Sequence, residues 1–167
     1  HPGAIREFAW DVQPIHLIRE RLPYLKSEND RKTVSHFLDE YEANVIPHSK
    51  KLRLAVIHND GNDHNILVNE KGETTGIIDF GDMVYSYQAL EPAVCMSYVA
   101  LNENDPVTAM APVLKGYHSW FPLKDDELKS VLFLSCVRLC ITVTMAAWRK
   151  TLYPDNEYLT VSENAAW

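Results

Sequence analysis

Cysteine is scarce and poorly spaced for chemistry. The chain has three, Cys95, Cys136 and Cys140, an odd number without a CxxC pair and all within apolar stretches. Free, buried thiols in a reducing compartment are therefore expected, not a metal site or a nucleophile. Basic residues are also in short supply. Sixteen Lys and Arg face 23 Asp and Glu, for a formal charge of −7. This argues against a broad surface for nucleic acid and in favour of small or cationic partners. No continuous run of about 18 apolar residues appears and no signal peptide is visible, so neither a membrane span nor secretion is expected and the cytoplasm is the default compartment. Internal repeats and low-complexity tracts are missing too.

Core-forming material is plentiful. The 167 residues are 46% hydrophobic, with four Trp, eight Tyr and five Phe, enough for one domain or one large lobe. The chain starts His1-Pro2-Gly3 without an initiator Met and stops on Asn164-Ala165-Ala166-Trp167, so a piece of a longer protein is expected. Apolar spacing predicts a short helix within Val12 to Leu25, and a clearer one capped by Asn29 or Asp30, carrying Val34, Phe37, Leu38, Tyr41 and Val45 and stopped by Pro47. Leu52 to Ile57 then reads as a strand. Ile66 to Asn69 and Thr74 to Phe80 read as the two arms of a hairpin, with Gly72 supplying a positive φ in the turn. Everything beyond Gly81 reads as helix: Tyr87 to Leu101, Pro106 to Phe121, Asp125 to Lys150, and another opening at Tyr158. The expected fold is α+β and mostly α, with helices around a small antiparallel hairpin.

Between the first strand and the hairpin lies VIHNDGNDHNILV, Val56 to Val68, where His58, Asn59, Asp60, Asn62, Asp63, His64 and Asn65 crowd together. Such groups cannot stay unpaired in a core. Side-chain bonds that tie down an irregular loop would account for many of them. A second acidic point, Ile78-Asp79-Phe80-Gly81-Asp82, points further. A hairpin of this length returns Asp79 beside Asn65, so a carboxylate and an amide oxygen can share a hard cation such as Mg²⁺ while Asp60 faces the same space. That is a geometry for phosphoryl transfer.

His58-Asn59-Asp60 with Asn65, and Ile78-Asp79-Phe80-Gly81-Asp82, resemble the H-G-D-x-x-x-x-N and I-D-F-G-D motifs of the aminoglycoside phosphotransferase and choline kinase family, small-molecule kinases of protein-kinase-like fold. The likeness is strongest from Leu54 to Glu91. Its overall flavour is nearest the hydroxylysine kinase-like and aminotransferase-fused branches. The resemblance implies that residues 1–167 form the C-terminal lobe, with Asp60 as catalytic base, Asn65 and Asp79 as ligands of Mg²⁺, and ATP or GTP as phosphoryl donor. His58 would brace the loop, Asp82 would orient it, and Glu91 is either its acidic support or an ordinary helix N-terminal carboxylate. His64 and Asp63 read as loop or surface residues.

Two departures from the family pattern stand out. Asn59 occupies the place of the family's Gly, and because Asn tolerates left-handed backbone better than most residues, the loop geometry is expected to survive. No Gly-rich loop, Val-Ala-Ile-Lys-like strand or partner Glu helix precedes the motif. By the resemblance, the nucleotide-binding lobe is then absent from this chain, the chain alone is inactive, and activity belongs to the parent protein, which is fused to or associated with a further enzyme domain in some branches. For an amine-bearing acceptor, Glu103, Asp105, Asp125, Asp126 and Glu127 offer charge and Tyr85, Tyr87, Tyr117, Trp120 and Trp148 offer cation–π faces. Capping, surface or core packing explains each of them more simply. Two other readings compete: a metal-dependent hydrolase using His58, Asp60, His64 and Asp79, and a non-catalytic kinase-like module that regulates a fused enzyme.

Overall fold

The computed structural model describes residues 8–156 and 163–167. Helix α1 (Ile15–Arg21) follows Pro14 and runs into a 3-10 turn, Leu22–Tyr24. It is shorter than the apolar spacing alone indicates. Helix α2 (Glu28–Asn44) buries Val34, Leu38 and Tyr41. Its cap is Ser27, whose hydroxyl accepts the Asp30 N–H at 3.3 Å, and not Asn29 or Asp30. Ser27 is the residue with extended backbone, which lets its side chain turn back onto the first turn.

Strand β1 (Leu54–Ile57), β2 (Ile66–Val68), β3 (Thr74–Ile77) and β4 (Val84–Tyr87) form two separate antiparallel pairs. β2 and β3 make the expected hairpin, with Gly72 at φ 77° in the turn. β1 pairs with β4, from Leu54 opposite Tyr87 to Ile57 opposite Val84. β4 lies in a stretch expected to be loop and helix. Val84 and Ser86 point inward while Tyr85 is exposed, and this short alternation is stabilised by a partner thirty residues away. The two pairs hold the polar loop between β1 and β2 on one side and the turn between β3 and β4 on the other.

Helices α3 (Leu90–Val99), α4 (Pro106–Trp120) and α5 (Asp125–Leu152) follow the apolar patterning closely. Asp105 caps α4 by accepting the Thr108 N–H and hydroxyl. α5 packs on α1, α2 and α3 and supplies the centre of the core through Val131, Leu134, Val137, Ile141 and Met145. By length and composition it is long and apolar enough to cross a membrane, although 67% of its most apolar window is buried inside the fold. A helix that is apolar all round is covered on most sides by its neighbours. A short α6 (Glu163–Ala166) packs on α5. The helix expected to open at Tyr158 begins outside the described residues. Cys95, Cys136 and Cys140 are free thiols on α3 and α5, with Cys140 fully buried and the other two partly so.

Candidate active site

The polar loop is held from below by one carboxylate. Glu91, in the first turn of α3, accepts the backbone N–H of His58 at 2.6 Å and of Asn59 at 3.3 Å through Oε2. Both amides would otherwise be buried without partners. The His58 ring then ties the loop to the second motif. Its Nε2 lies 2.8 Å from the Ile78 carbonyl, and its Nδ1 accepts the Asp60 N–H at 3.3 Å. These partners define the tautomer, with the proton on Nε2, because a carbonyl only accepts and a backbone amide only donates. Phe80 meets the same ring edge-on at 5.1 Å.

Asn59 sits at φ 66° and is fully buried. Neither its amide nitrogen nor its amide oxygen finds a hydrogen-bond partner among the described residues. Beyond it, Asn62 caps a 3-10 turn at Asp63–Asn65, its Oδ1 accepting the N–H of His64 at 2.9 Å and of Asn65 at 3.1 Å. Asn65 Nδ2 donates to the Asp60 carbonyl and to Asp60 Oδ2, both at 2.9 Å. Asn65 therefore faces Asp60 with its nitrogen, and its Oδ1 takes no hydrogen bond among the described residues.

The hairpin brings the second motif alongside. Ile66 lies opposite Ile77, and the Ile78 N–H donates to the Asn65 carbonyl at 2.9 Å. The next residue, Asp79, adopts a left-handed conformation (φ 61°, ψ 70°) and accepts the Gly81 N–H at 3.3 Å through Oδ1. A non-glycine residue there costs about 1–2 kcal/mol, a strain of the kind that collects at functional sites. Its carboxylate is exposed. One carboxylate and one amide oxygen suit Mg²⁺, which keeps waters and takes its remaining ligands from substrate phosphates. Asp82 is half-buried. Burial, and then the nearby Asp60 charge, push its carboxyl above the usual range, against the pull of Arg138.

Asp60 stands at the edge of a cleft of about 1220 Å³ between the loop, α3 and α5. Its partners from the helical side were not foreseen. Tyr98 on α3 donates its hydroxyl to Asp60 Oδ1 at 2.8 Å. Arg138, in the middle of α5 and 2% exposed, reaches Tyr98 Oη at 3.1 Å and Asp60 Oδ1 at 3.5 Å. Its guanidinium lies 4.6 Å from the Trp10 ring and 5.7 Å from that of Tyr98. Burial pushes the Tyr98 hydroxyl up, so it remains a donor. A sequence signal for Arg138 existed: it is a lone charge inside Val131 to Ala147, a stretch that is otherwise uncharged.

Both His58 ring nitrogens are engaged, one by the Ile78 carbonyl and one by the Asp60 amide, and His64 is exposed. Among the described residues no group of three or more His, Cys, Asp and Glu is arranged to hold a metal ion. The four residues expected of a hydrolase are not brought together as ligands. Of the ten residues expected at the acceptor, only Glu103 lines the cleft. Glu127 is instead buried against Arg53, Asp126 pairs with Lys51 at 3.6 Å, and Trp120 is 84% exposed. His64 and Asp63 do line the cleft.

The chain is 32% identical over 171 aligned residues to the hydroxylysine kinase of Xenopus laevis, an alignment covering 96% of this chain and 46% of that protein. The hydroxylysine kinase of Mus musculus is 31% identical over 169 residues, covering 96% and 45%. That of Bos taurus is 30% identical over 169 residues with the same coverage. The chain thus spans about half the length of the relatives it matches. Residues 3–127 match the profile of the phosphotransferase enzyme family, a span that holds both motif loops, the hairpin and α3, and to that family the chain belongs.

Proposed function

We propose that this chain is the C-terminal, acceptor-binding lobe of a kinase that moves the γ-phosphoryl group of ATP or GTP to a hydroxyl on a small, amine-bearing molecule. Asp60 accepts the hydroxyl proton as the hydroxyl oxygen forms its bond to phosphorus and the bond to the nucleoside diphosphate breaks. Asn65 Oδ1 and Asp79 would hold Mg²⁺, which supplies charge neutralisation on the donor phosphates. Tyr98, Asn62 and Asn65 fix the Asp60 carboxylate, and His58, Glu91 and Asp82 keep the two loops in register.

The observation that carries this reading is the chain of bonds from the Ile78 N–H to the Asn65 carbonyl and from the Asn65 amide to Asp60. It supports the reading by linking the strand end before Asp79 to Asn65, and Asn65 to Asp60, which lines the cleft. The relatives are hydroxylysine kinases, which makes hydroxylysine the first acceptor to try. An upstream lobe would complete the nucleotide site. Its place is the apolar surface of Leu54, Val56, Ile78, Phe80, Met83 and Tyr85, each 44–55% exposed. The test uses the full-length parent, screened with hydroxylysine and other hydroxyl-bearing amines for Mg²⁺-dependent nucleotide consumption. Asp60→Asn is expected to lower kcat at least about a hundredfold, and Asp79→Ala to lower turnover and raise the Mg²⁺ concentration it requires. Undiminished turnover in both variants would overturn the mechanism.

A further inference from the structure

The cleft beside Asp60 has a feature that binding an amine does not use. Arg149, about three turns beyond Arg138 on the same face of α5, lines it together with Trp10. The Arg149 guanidinium lies 5.3 Å from the Trp10 ring, whose centre is also 4.6 Å from that of Arg138. Arg138 directs Nη2 to Tyr98 and Asp60, while its Nε and Nη1 are buried without a hydrogen-bond partner among the described residues. Arg149 is half-buried and makes no hydrogen bond or ion pair among the described residues. Its charge lies near Arg21, whose guanidinium is lowered first by burial, against Glu20, and further by Arg149, and near Asp82, whose burial-driven rise it opposes. The indole gives the guanidinium a cation–π neighbour, and the planar guanidinium fork matches a carboxylate with two parallel bonds.

The cleft is lined by Asp60 and, from the metal turn, by Asp82 but not by Asp79, so the anion that Arg149 meets is an acceptor carboxylate or a donor phosphate, and acceptor KM against nucleotide KM separates the two. The lining also carries both signs, with Asp63, Glu103 and Glu163 available to an ammonium group and Arg149 to an anion. A zwitterion meets both.

We propose that Arg149, beside Trp10, holds the carboxylate of the acceptor and makes the cleft selective for hydroxy-amino acids over amino alcohols that lack a carboxylate. This rests on the kinase reading above. The experiment compares the full-length parent with its Arg149→Met and Arg149→Lys variants on two acceptors: hydroxylysine and its decarboxylation product, a diamino alcohol that differs only in lacking the carboxylate. The wild type should favour hydroxylysine. Arg149→Met should raise KM for hydroxylysine about tenfold to a hundredfold more than KM for the diamino alcohol, and Arg149→Lys should keep part of the preference. Nucleotide KM should move little. An equal change for both acceptors, an intact preference in Arg149→Met, or an effect confined to nucleotide KM would each overturn the assignment. If the wild type turns over neither acceptor, the kinase reading fails on these substrates and the assignment falls with it.

Discussion

Asn59 shows what a single residue does in the polar loop. Where family members have Gly, it holds φ at 66° with a fully buried amide that finds no partner among the described residues. Glycine meets that backbone without a Cβ penalty, whereas alanine pays the left-handed cost in full. Asn59→Gly should therefore be more stable than Asn59→Ala by about 1–2 kcal/mol in urea unfolding. Equal stabilities would mean that the loop relaxes out of the left-handed region when the side chain is lost. The position was legible in sequence because Asn tolerates this conformation. That its amide would be sealed beneath the loop was not, since burial there depends on α3 passing underneath.

Among the elements, α5 is anchored to β1 at its first turn. Glu127, fully buried, accepts Arg53 Nε at 2.8 Å and the backbone N–H of Arg53 at 3.1 Å, pairs with Arg53 Nη2, and takes the Lys124 N–H at 2.8 Å. Burial pulls its carboxyl upward, yet the bonds from Arg53 and the Lys124 amide prevail and hold it below the usual carboxylate range. A depressed folded-state pKa contributes stability above the unfolded value, near pH 4, and loses it as pH falls through the folded value. The stability gap between wild type and Glu127→Gln should accordingly be widest near pH 7 and narrow below about pH 4. A gap that stays constant across that range would show that the charge is not what anchors α5. Asp11 runs the other way. Burial raises it despite bonds from Ser86 and Gln13, so its contribution grows as pH falls. Strand β4 also belongs to this scale: four residues of alternation next to a helix are too few to distinguish from a helix start, and pairing with β1 decides the matter.

For the whole molecule, the helices close over one core while the outer face of the β1–β4 pair stays open. Val56 and Tyr85 lie opposite each other and are 51% and 46% exposed. Contiguous apolar surface of this kind marks an interaction face. In the full-length parent, Val56→Lys with Tyr85→Thr should raise the nucleotide KM by loosening the contact with the upstream lobe. The stability of the chain by itself should change by only about 0.5 kcal/mol per site, as for other surface substitutions. An unchanged nucleotide KM would place the contact between the lobes elsewhere.

Local chemistry determined much of this protein. The spacing of Asp60, Asn65 and Asp79, the glycine turn at Gly72, and the extents of α4 and α5 all depend on residues within one loop or one helix. Capping, φ preference and 3.6-residue periodicity act at that range. Only the tertiary structure brought Tyr98, Arg138, Trp10 and Arg149 to one cleft. Tyr98 and Arg138 meet Asp60 from 38 and 78 residues away; the lone charge of Arg138 in an apolar stretch marks it as buried, but nothing within either helix says which carboxylate the side chain meets. The packing of α5 on α3 fixes that direction, because a close-packed core leaves each buried side chain one place to go.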